Sequence, residues 1–218
     1  MRGMLYVVGV GPGDPELMTI KAYRTIQSAD VIACPSRGNV PGTAYQITEQ
    51  IVPELEQKEI LLLHIPMTGE DLSRKYQEAA ALIQEKLDAG KRIACLTLGD
   101  PGFYSTVFHF LDRIVSGGYA VEVISAVPSF CAASARLQIP LALGEESVLI
   151  TTGDLREYPG TQVIMKAGSH LGPLKEQIRS RKRSAALIEN CGMDTERVYN
   201  DVEEFPDQAG YFSIMIVR

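Results

Sequence analysis

Positive charge is scarce in this chain: 21 lysines and arginines face 27 aspartates and glutamates, for a formal net charge of −6. That balance argues against a protein that coats nucleic acid. Long apolar runs are missing as well. No stretch approaches the roughly 20 residues that span a bilayer, and Met1-Arg2-Gly3 leads at once into strand-like Met4-Leu5-Tyr6-Val7-Val8 without a signal-peptide cleavage pattern. The expectation is a cytoplasmic protein with no membrane or nucleic-acid partner. The four cysteines, Cys34, Cys95, Cys131 and Cys191, form no C-x-x-C pair and sit in apolar or small-residue surroundings, so they read as small core hydrophobes. The three histidines, His64, His109 and His170, are isolated, with no H-E-x-x-H or paired-carboxylate spacing. No built-in metal site is expected.

What is present is enough apolar side chain, 45% of 218 residues, to bury one large core or two modest ones. The pattern alternates strand and helix. Strands are expected at 4–10, 31–34 (ended by Pro35), 60–65, 92–98 and 120–124, with helices at 20–28 behind an N-cap Thr19, at 43–52, and at 105–115. The clearest helix spans 70–89, where Leu72, Tyr76, Ala79, Ile83 and Leu87 recur at three- and four-residue steps. Thr68-Gly69-Glu70-Asp71 resembles a capping box at its start, and Gly90 stands where a left-handed C-cap belongs. Beyond the Gly117-Gly118 turn come helices at 129–137 and 171–181 and strands at 148–152, 161–166, 185–189 and 211–217. The expected division is an N-terminal α/β domain, 1–117, with a mostly parallel sheet, and a C-terminal α/β domain, 118–218, with a mixed one. No linker or low-complexity tract separates them, so a shared cleft is expected.

Two Gly-Asp-Pro turns follow buried strands: Gly9-Val10-Gly11-Pro12-Gly13-Asp14-Pro15 and Leu98-Gly99-Asp100-Pro101-Gly102-Phe103-Tyr104. Both should emerge from the carboxyl edge of one sheet, where open α/β folds bind ligands. The first begins a G-x-G-x-x-G pattern but carries Asp14 in place of the third glycine, and a carboxylate there repels a pyrophosphate. A structural tight turn is the other reading. In the second, Gly99 permits close backbone approach, while Asp100 is either a fixed carboxylate for a ligand or a plain helix cap.

The two turns together resemble the signature of the tetrapyrrole methylases. Three further segments extend the likeness in order: Ser129-Phe130-Cys131-Ala132-Ala133-Ser134-Ala135-Arg136, then Val163-Ile164-Met165-Lys166-Ala167, then the stretch from Ile188 to Val198. Within the family, Ile65-Pro66-Met67-Thr68, Ala94 to Thr106 and Tyr211 to Arg218 are most similar to enzymes that methylate C-20 of precorrin-2 or cobalt-factor II. One departure stands out: Ser125-Ala126 occupies the place of the usual Pro-Gly, with Pro128 two residues later. A second is Cys34-Pro35-Ser36 where uroporphyrinogen methylases carry Tyr-Asp-Arg.

The resemblance implies two α/β domains of the class III S-adenosylmethionine-dependent methyltransferase type, with the cofactor in the cleft between them and S-adenosylhomocysteine as product. It assigns Leu98, Gly99, Asp100, Phe103, Pro128, Ser129 and Lys166 to the cofactor. Pro12, Arg37, Tyr104 and Arg136 fall to a polycarboxylate tetrapyrrole substrate, and a homodimer is implied. No residue is identified as a catalytic base. Without the motifs, Phe103 reads as core, Lys166 as a solvated strand end, and Arg37 and Arg136 as surface salt-bridge partners. Arg179-Ser180-Arg181-Lys182-Arg183 reads as a solvated helix end that complements the macrodipole. Two other functions stay open: a superfamily methylase with another acceptor, such as a diphthine synthase or ribosomal RNA ribose methylase, and a non-catalytic ligand-binding module.

Overall fold

The computed structural model describes residues 2–65 and 71–218, and the chain divides into two compact units, Met1–Val127 and Pro128–Arg218. The division lies downstream of the expected 117/118. Strand β6 (Ala120–Ile124), which follows the Gly117-Gly118 turn, pairs in parallel with β1 (Met4–Gly9), Met4 opposite Ala120 and Val8 opposite Ile124. It therefore completes the first sheet instead of opening the second.

In the first unit β4 (Glu59–Leu63), β2 (Val31–Arg37), β5 (Arg92–Thr97), β1 and β6 lie side by side, all parallel. A two-residue β3 (Val40–Pro41) folds back on the end of β2. Parallel strands joined by helical crossovers are covered on both faces, which is why these segments are apolar at nearly every position. Strand alternation sends Val7, Ala33, Ile93 and Cys95 to one face, under α3 (Leu72–Asp88) and α4 (Phe108–Ser116). It sends Val8, Ile32, Cys34 and Leu96 to the other, under α1 (Ile20–Ser28) and α2 (Thr43–Glu49).

Two helix ends follow their sequence signals, whereas α2 stops at Glu49, short of the expected 52, and α4 starts at Phe108, after the expected 105. Thr19 Oγ1 accepts from the Ala22 N–H at 3.1 Å, and Gly90, at φ +78°, lets its N–H reach the Leu87 carbonyl at 3.0 Å. The proposed capping box falls mostly on 66–70, outside the described residues. Pro35 does not end β2 as expected. Its neighbour β5 pairs with β2 only through Ala33, so the missing N–H at Pro35 breaks no bond to β5, and the strand runs on to Arg37.

The second unit holds β7 (Val148–Thr152), β8 (Thr161–Met165), β9 (Ala185–Glu189), β10 (Arg197–Tyr199) and β11 (Ser213–Val217) in the order β10-β9-β11-β8-β7. Only β7 and β8 are parallel, so the sheet is mixed. Helix α5 (Ser129–Leu137) packs against β11 and β9. Helix α6 (Leu171–Ser180) buries Leu171, Leu174 and Ile178 against Ile164, Leu187 and Met215. At the end of β9 the buried Glu189 carboxylate accepts from Tyr199 Oη at 3.1 Å and the Gly210 N–H at 2.8 Å, fixing the approach to β11.

Candidate functional site

Both Gly-Asp-Pro turns leave the carboxyl ends of adjacent strands, β1 and β5, and they are joined to each other. Val10 N–H donates to the Thr97 carbonyl at 3.0 Å and Gly99 N–H to the Gly11 carbonyl at 2.8 Å, with Gly11 and Gly99 forming an isolated antiparallel bridge. Those two glycines hold φ of +86° and +70°, a region that side chains rarely tolerate. At Gly99, itself buried, nothing beyond its chain neighbours lies within 4 Å of the place a Cβ would take. Asp14 is spent locally. Its carboxylate caps the Glu16 N–H at 2.8 Å at the start of a 3₁₀ turn, the structural reading of that position.

Asp100 is the centre of a clamp. Oδ1 accepts from the Gly102 N–H at 2.7 Å, and Oδ2 accepts from Ser125 Oγ at 2.6 Å and from the Ala126 N–H at 2.7 Å. One carboxylate thus ties the loop after β5 to the segment after β6. Burial works against its ionisation, but the bonds from Ser125, Ala126 and Gly102 outweigh it and hold the carboxyl below its ordinary range. Sequence reasoning gave Asp100 a ligand or a cap; the second partner, Ser125-Ala126, was visible only as a departure from the family pattern. That departure has a physical content, since a serine supplies a hydroxyl donor that proline lacks.

The other residues assigned to the first unit gather at the same edge. Pro12 is buried in the first turn, Leu98 is half-buried before Gly99, and Phe103 and Tyr104 are 40% and 53% exposed on the second. Phe103 is therefore not the core residue that its chemistry alone suggests. Tyr104 holds φ +52°, a strained backbone for a non-glycine residue. Arg37 ends β2 in the hairpin to β3, exposed and with no ion pair or side-chain hydrogen bond among the described residues. Beside it, Ser36 Oγ lies 2.9 Å from His64 Nδ1, a pair that the sequence analysis did not single out because the two residues are 28 positions apart.

In the second unit Pro128 is the N-cap residue of α5 and Ser129 its first helical residue. Lys166 stands in a left-handed turn after β8, its Nζ 5.1 Å from the Tyr211 ring centre, partnered and not simply solvated. Arg136 is engaged by Glu196, which also accepts the Gly192 N–H, so it takes the salt-bridge alternative. The basic run is not a free patch. Arg179 pairs with Glu203, Arg181 donates to the Arg156 carbonyl, and Arg183 donates to the carbonyls of Tyr158 and Gly160.

Cys34, Cys95 and Cys191 are buried as expected, whereas Cys131 is exposed and not a core residue. Burial pushes Cys34 up to about 11 and Cys95 up to about 12. Among the described residues no three His, Cys, Asp or Glu side chains are placed to hold a metal ion, and no helix is long and apolar enough to cross a membrane. The first-unit edge therefore presents two bridged turns and the exposed Phe103 and Tyr104 to a ligand, with Arg37 an exposed cation that has no ion pair among the described residues.

Comparison with known proteins adds a chemical direction. Residues 4–206 match the model of the family described as Tetrapyrrole (Corrin/Porphyrin) Methylases. The chain is 29% identical to the precorrin-2 C(20)-methyltransferase of Sinorhizobium sp, across 99% of this chain and 95% of that one. It is 30% identical to the probable cobalt-precorrin-2 C(20)-methyltransferase of Methanocaldococcus jannaschii, across 98% and 95% respectively. Among solved structures, the uroporphyrin-III-C-methyltransferase of Thermus thermophilus aligns with a TM-score of 0.71 at 25% identity, over 100% of this chain and 92% of that one.

Proposed function

This chain belongs to the tetrapyrrole (corrin/porphyrin) methylase family, and from that membership we propose that it methylates C-20 of precorrin-2 or its cobalt complex in cobalamin biosynthesis. The observation that carries the reading is end-to-end similarity to a precorrin-2 C(20)-methyltransferase and a probable cobalt-precorrin-2 C(20)-methyltransferase. The family uses S-adenosylmethionine, which supplies an electrophilic sulfonium methyl group. The missing Cβ at Gly99 and the exposed Phe103 fit such a molecule, because a backbone without Cβ accepts a ligand at close range.

Displacement at a sulfonium methyl is in-line, so the protein's main contribution is alignment of a nucleophilic carbon with that methyl. Positioning of this kind is worth on the order of 7–11 kcal/mol in favourable cases. Here the alignment rests on the Gly11–Gly99 bridge and the Asp100 clamp, which together fix two loops against three strand ends. Leu98, Gly99, Asp100 and Phe103 set the cofactor's loop in the first unit; Pro128, Ser129 and Lys166 keep the cofactor role that the resemblance gives them. On the substrate side Tyr104 supplies surface and Arg37 a cation for a macrocycle carboxylate, while Pro12, the resemblance's other substrate residue, is buried and acts by stiffening its turn. An acidic protein needs such a local cation to bind a polyanion. Arg136 is the weaker substrate candidate, being held by Glu196.

The test is to incubate the protein with labelled S-adenosylmethionine and either macrocycle, then locate the new methyl by NMR. One methyl on C-20 is expected. Absence of transfer to both macrocycles, with cofactor binding intact, overturns the reading. We also propose a cytoplasmic homodimer, for which light scattering should give a mass near twice the 23.9 kDa of the chain; a monomeric mass at working concentration counts against it.

A further inference from the structure

We propose that His64 is the proton acceptor of this reaction, its Nε2 taking the hydrogen from C-20 once the methyl group has arrived. The inference rests on the C-20 reading above. When a methine carbon attacks a sulfonium methyl, a C–C bond forms, the S–CH₃ bond breaks, and its electron pair leaves with sulfur as a neutral thioether. The carbon then bears both hydrogen and methyl. Conjugation is restored only when the C–H pair returns to the macrocycle and the proton goes to a base.

The fold brings an imidazole to this edge. Leu63 of β4 stands opposite Pro35 of β2, so the next residues, His64 and Ser36, fall side by side, with Ser36 Oγ 2.9 Å from His64 Nδ1. β2 pairs in parallel with β5 as far as Ala33 opposite Cys95, so the ends of β4 and β2 lie at the same carboxyl edge from which the β5 loop leaves. His64 thus stands at the carboxyl edge of the sheet that also carries the β5 loop. Arg37, exposed and without an ion pair among the described residues, is the next residue along β2.

Three other acid–base groups of this unit are engaged. Asp100 accepts three hydrogen bonds and is a weakened base; Asp14 is a cap; His109 stacks on Tyr76 between α3 and α4, ring centres 4.9 Å apart. His64 is exposed, and its Nε2 has no partner among the described residues. Acceptance at Nε2 requires the tautomer in which Nδ1–H donates to Ser36 Oγ, so Ser36 is the positioning residue for this base.

The experiment compares wild type, His64→Gln and Ser36→Ala with precorrin-2 carrying hydrogen or deuterium at C-20. Because His64 is exposed, His64→Gln should unfold at the wild-type denaturant concentration. Its kcat should fall on the order of 100-fold, as expected on removing a general base, with both KM values held within about threefold. The deuterium isotope effect should grow as proton removal becomes limiting. Ser36→Ala should fall less, about tenfold, with the same isotope signature. A His64→Gln enzyme with wild-type kcat, or one whose loss lies in KM or shows no isotope effect, overturns the inference. Failure of the wild type to methylate C-20 sinks the C-20 reading and this inference with it, whereas an active wild type with an equally active His64→Gln sinks this inference alone.

Discussion

Gly9→Ala should cost both stability and cofactor binding. A Cβ at Gly9 would stand 2.7 Å from the Gly99 carbonyl oxygen, 2.7 Å from Pro101 Cδ and 2.7 Å from Ala126 Cβ. Three elements meet there: the end of β1, the loop after β5 and the segment after β6. Two of the three obstacles are backbone or a proline ring, so none can swing aside as a flexible side chain can. Forcing extra atoms into such a site typically costs 1–3 kcal/mol, about what separates a stable domain from a marginal one. The relief available is for the Gly99 loop to move outward, which breaks its 2.8 Å bond to Gly11. The expected result is a lower urea midpoint together with S-adenosylmethionine affinity reduced by at least about tenfold, the equivalent of ~1.4 kcal/mol. Equilibrium dialysis on the folded fraction separates the two effects. Wild-type affinity in a folded Gly9→Ala protein would show that the cofactor does not depend on this loop.

Removing Asp100 should have the second large effect, and its character differs from what the sequence suggested. Read as a ligand carboxylate, Asp100 could be truncated with the fold untouched. The structure gives the carboxylate three donors of its own chain, so Asp100→Ala strands Gly102 N–H, Ser125 Oγ and Ala126 N–H. Loss of a hydrogen-bonding partner to a buried donor costs about 1–3 kcal/mol, and the part-exposure of this site keeps the total toward the lower end. Cofactor affinity should drop alongside, because the loop that carries Gly99 and Phe103 loses its tie to β6. Asp100→Asn should fall between, since its amide nitrogen meets a donor on one side whichever way it is turned.

A pH dependence follows from the same contacts. The folded carboxyl titrates below its unfolded value of about 3.9, so its stabilisation is fully present above that value. It is lost as pH falls through the lower folded value. Wild type should therefore lose stability in that acid window faster than Asp100→Ala, and parallel acid-unfolding curves for the two proteins would count against a depressed Asp100.

Much of the first sheet was legible because its causes are local. Apolar runs of strand length, the N-cap Thr19 and the C-cap Gly90 are each decided within a few residues. The expected strand end at Pro35 failed for a non-local reason: whether a proline breaks a strand depends on which neighbour needs its N–H, and β5 had already parted from β2. The domain boundary failed similarly. A Gly-Gly turn looks the same whether the next strand joins the old sheet or starts another, and only the pairing of β6 with β1 chose.

The sequence by itself determined the family, through ordered motifs, and with it the class of chemistry, because turn glycines and prolines are demanded by backbone geometry that a single segment must meet. It also placed Pro12, Leu98, Gly99 and Asp100 on one strand edge, since two buried parallel strands leave their loops at the same end. The tertiary structure alone decided what those residues touch. Asp100 meets Ser125 and Ala126 across 25 and 26 positions of chain, Ser36 meets His64 across 28, and Arg136 is taken by Glu196 across 60. Hydrogen bonds act over about 3 Å, and only the folded register brings residues so far apart in sequence to that distance.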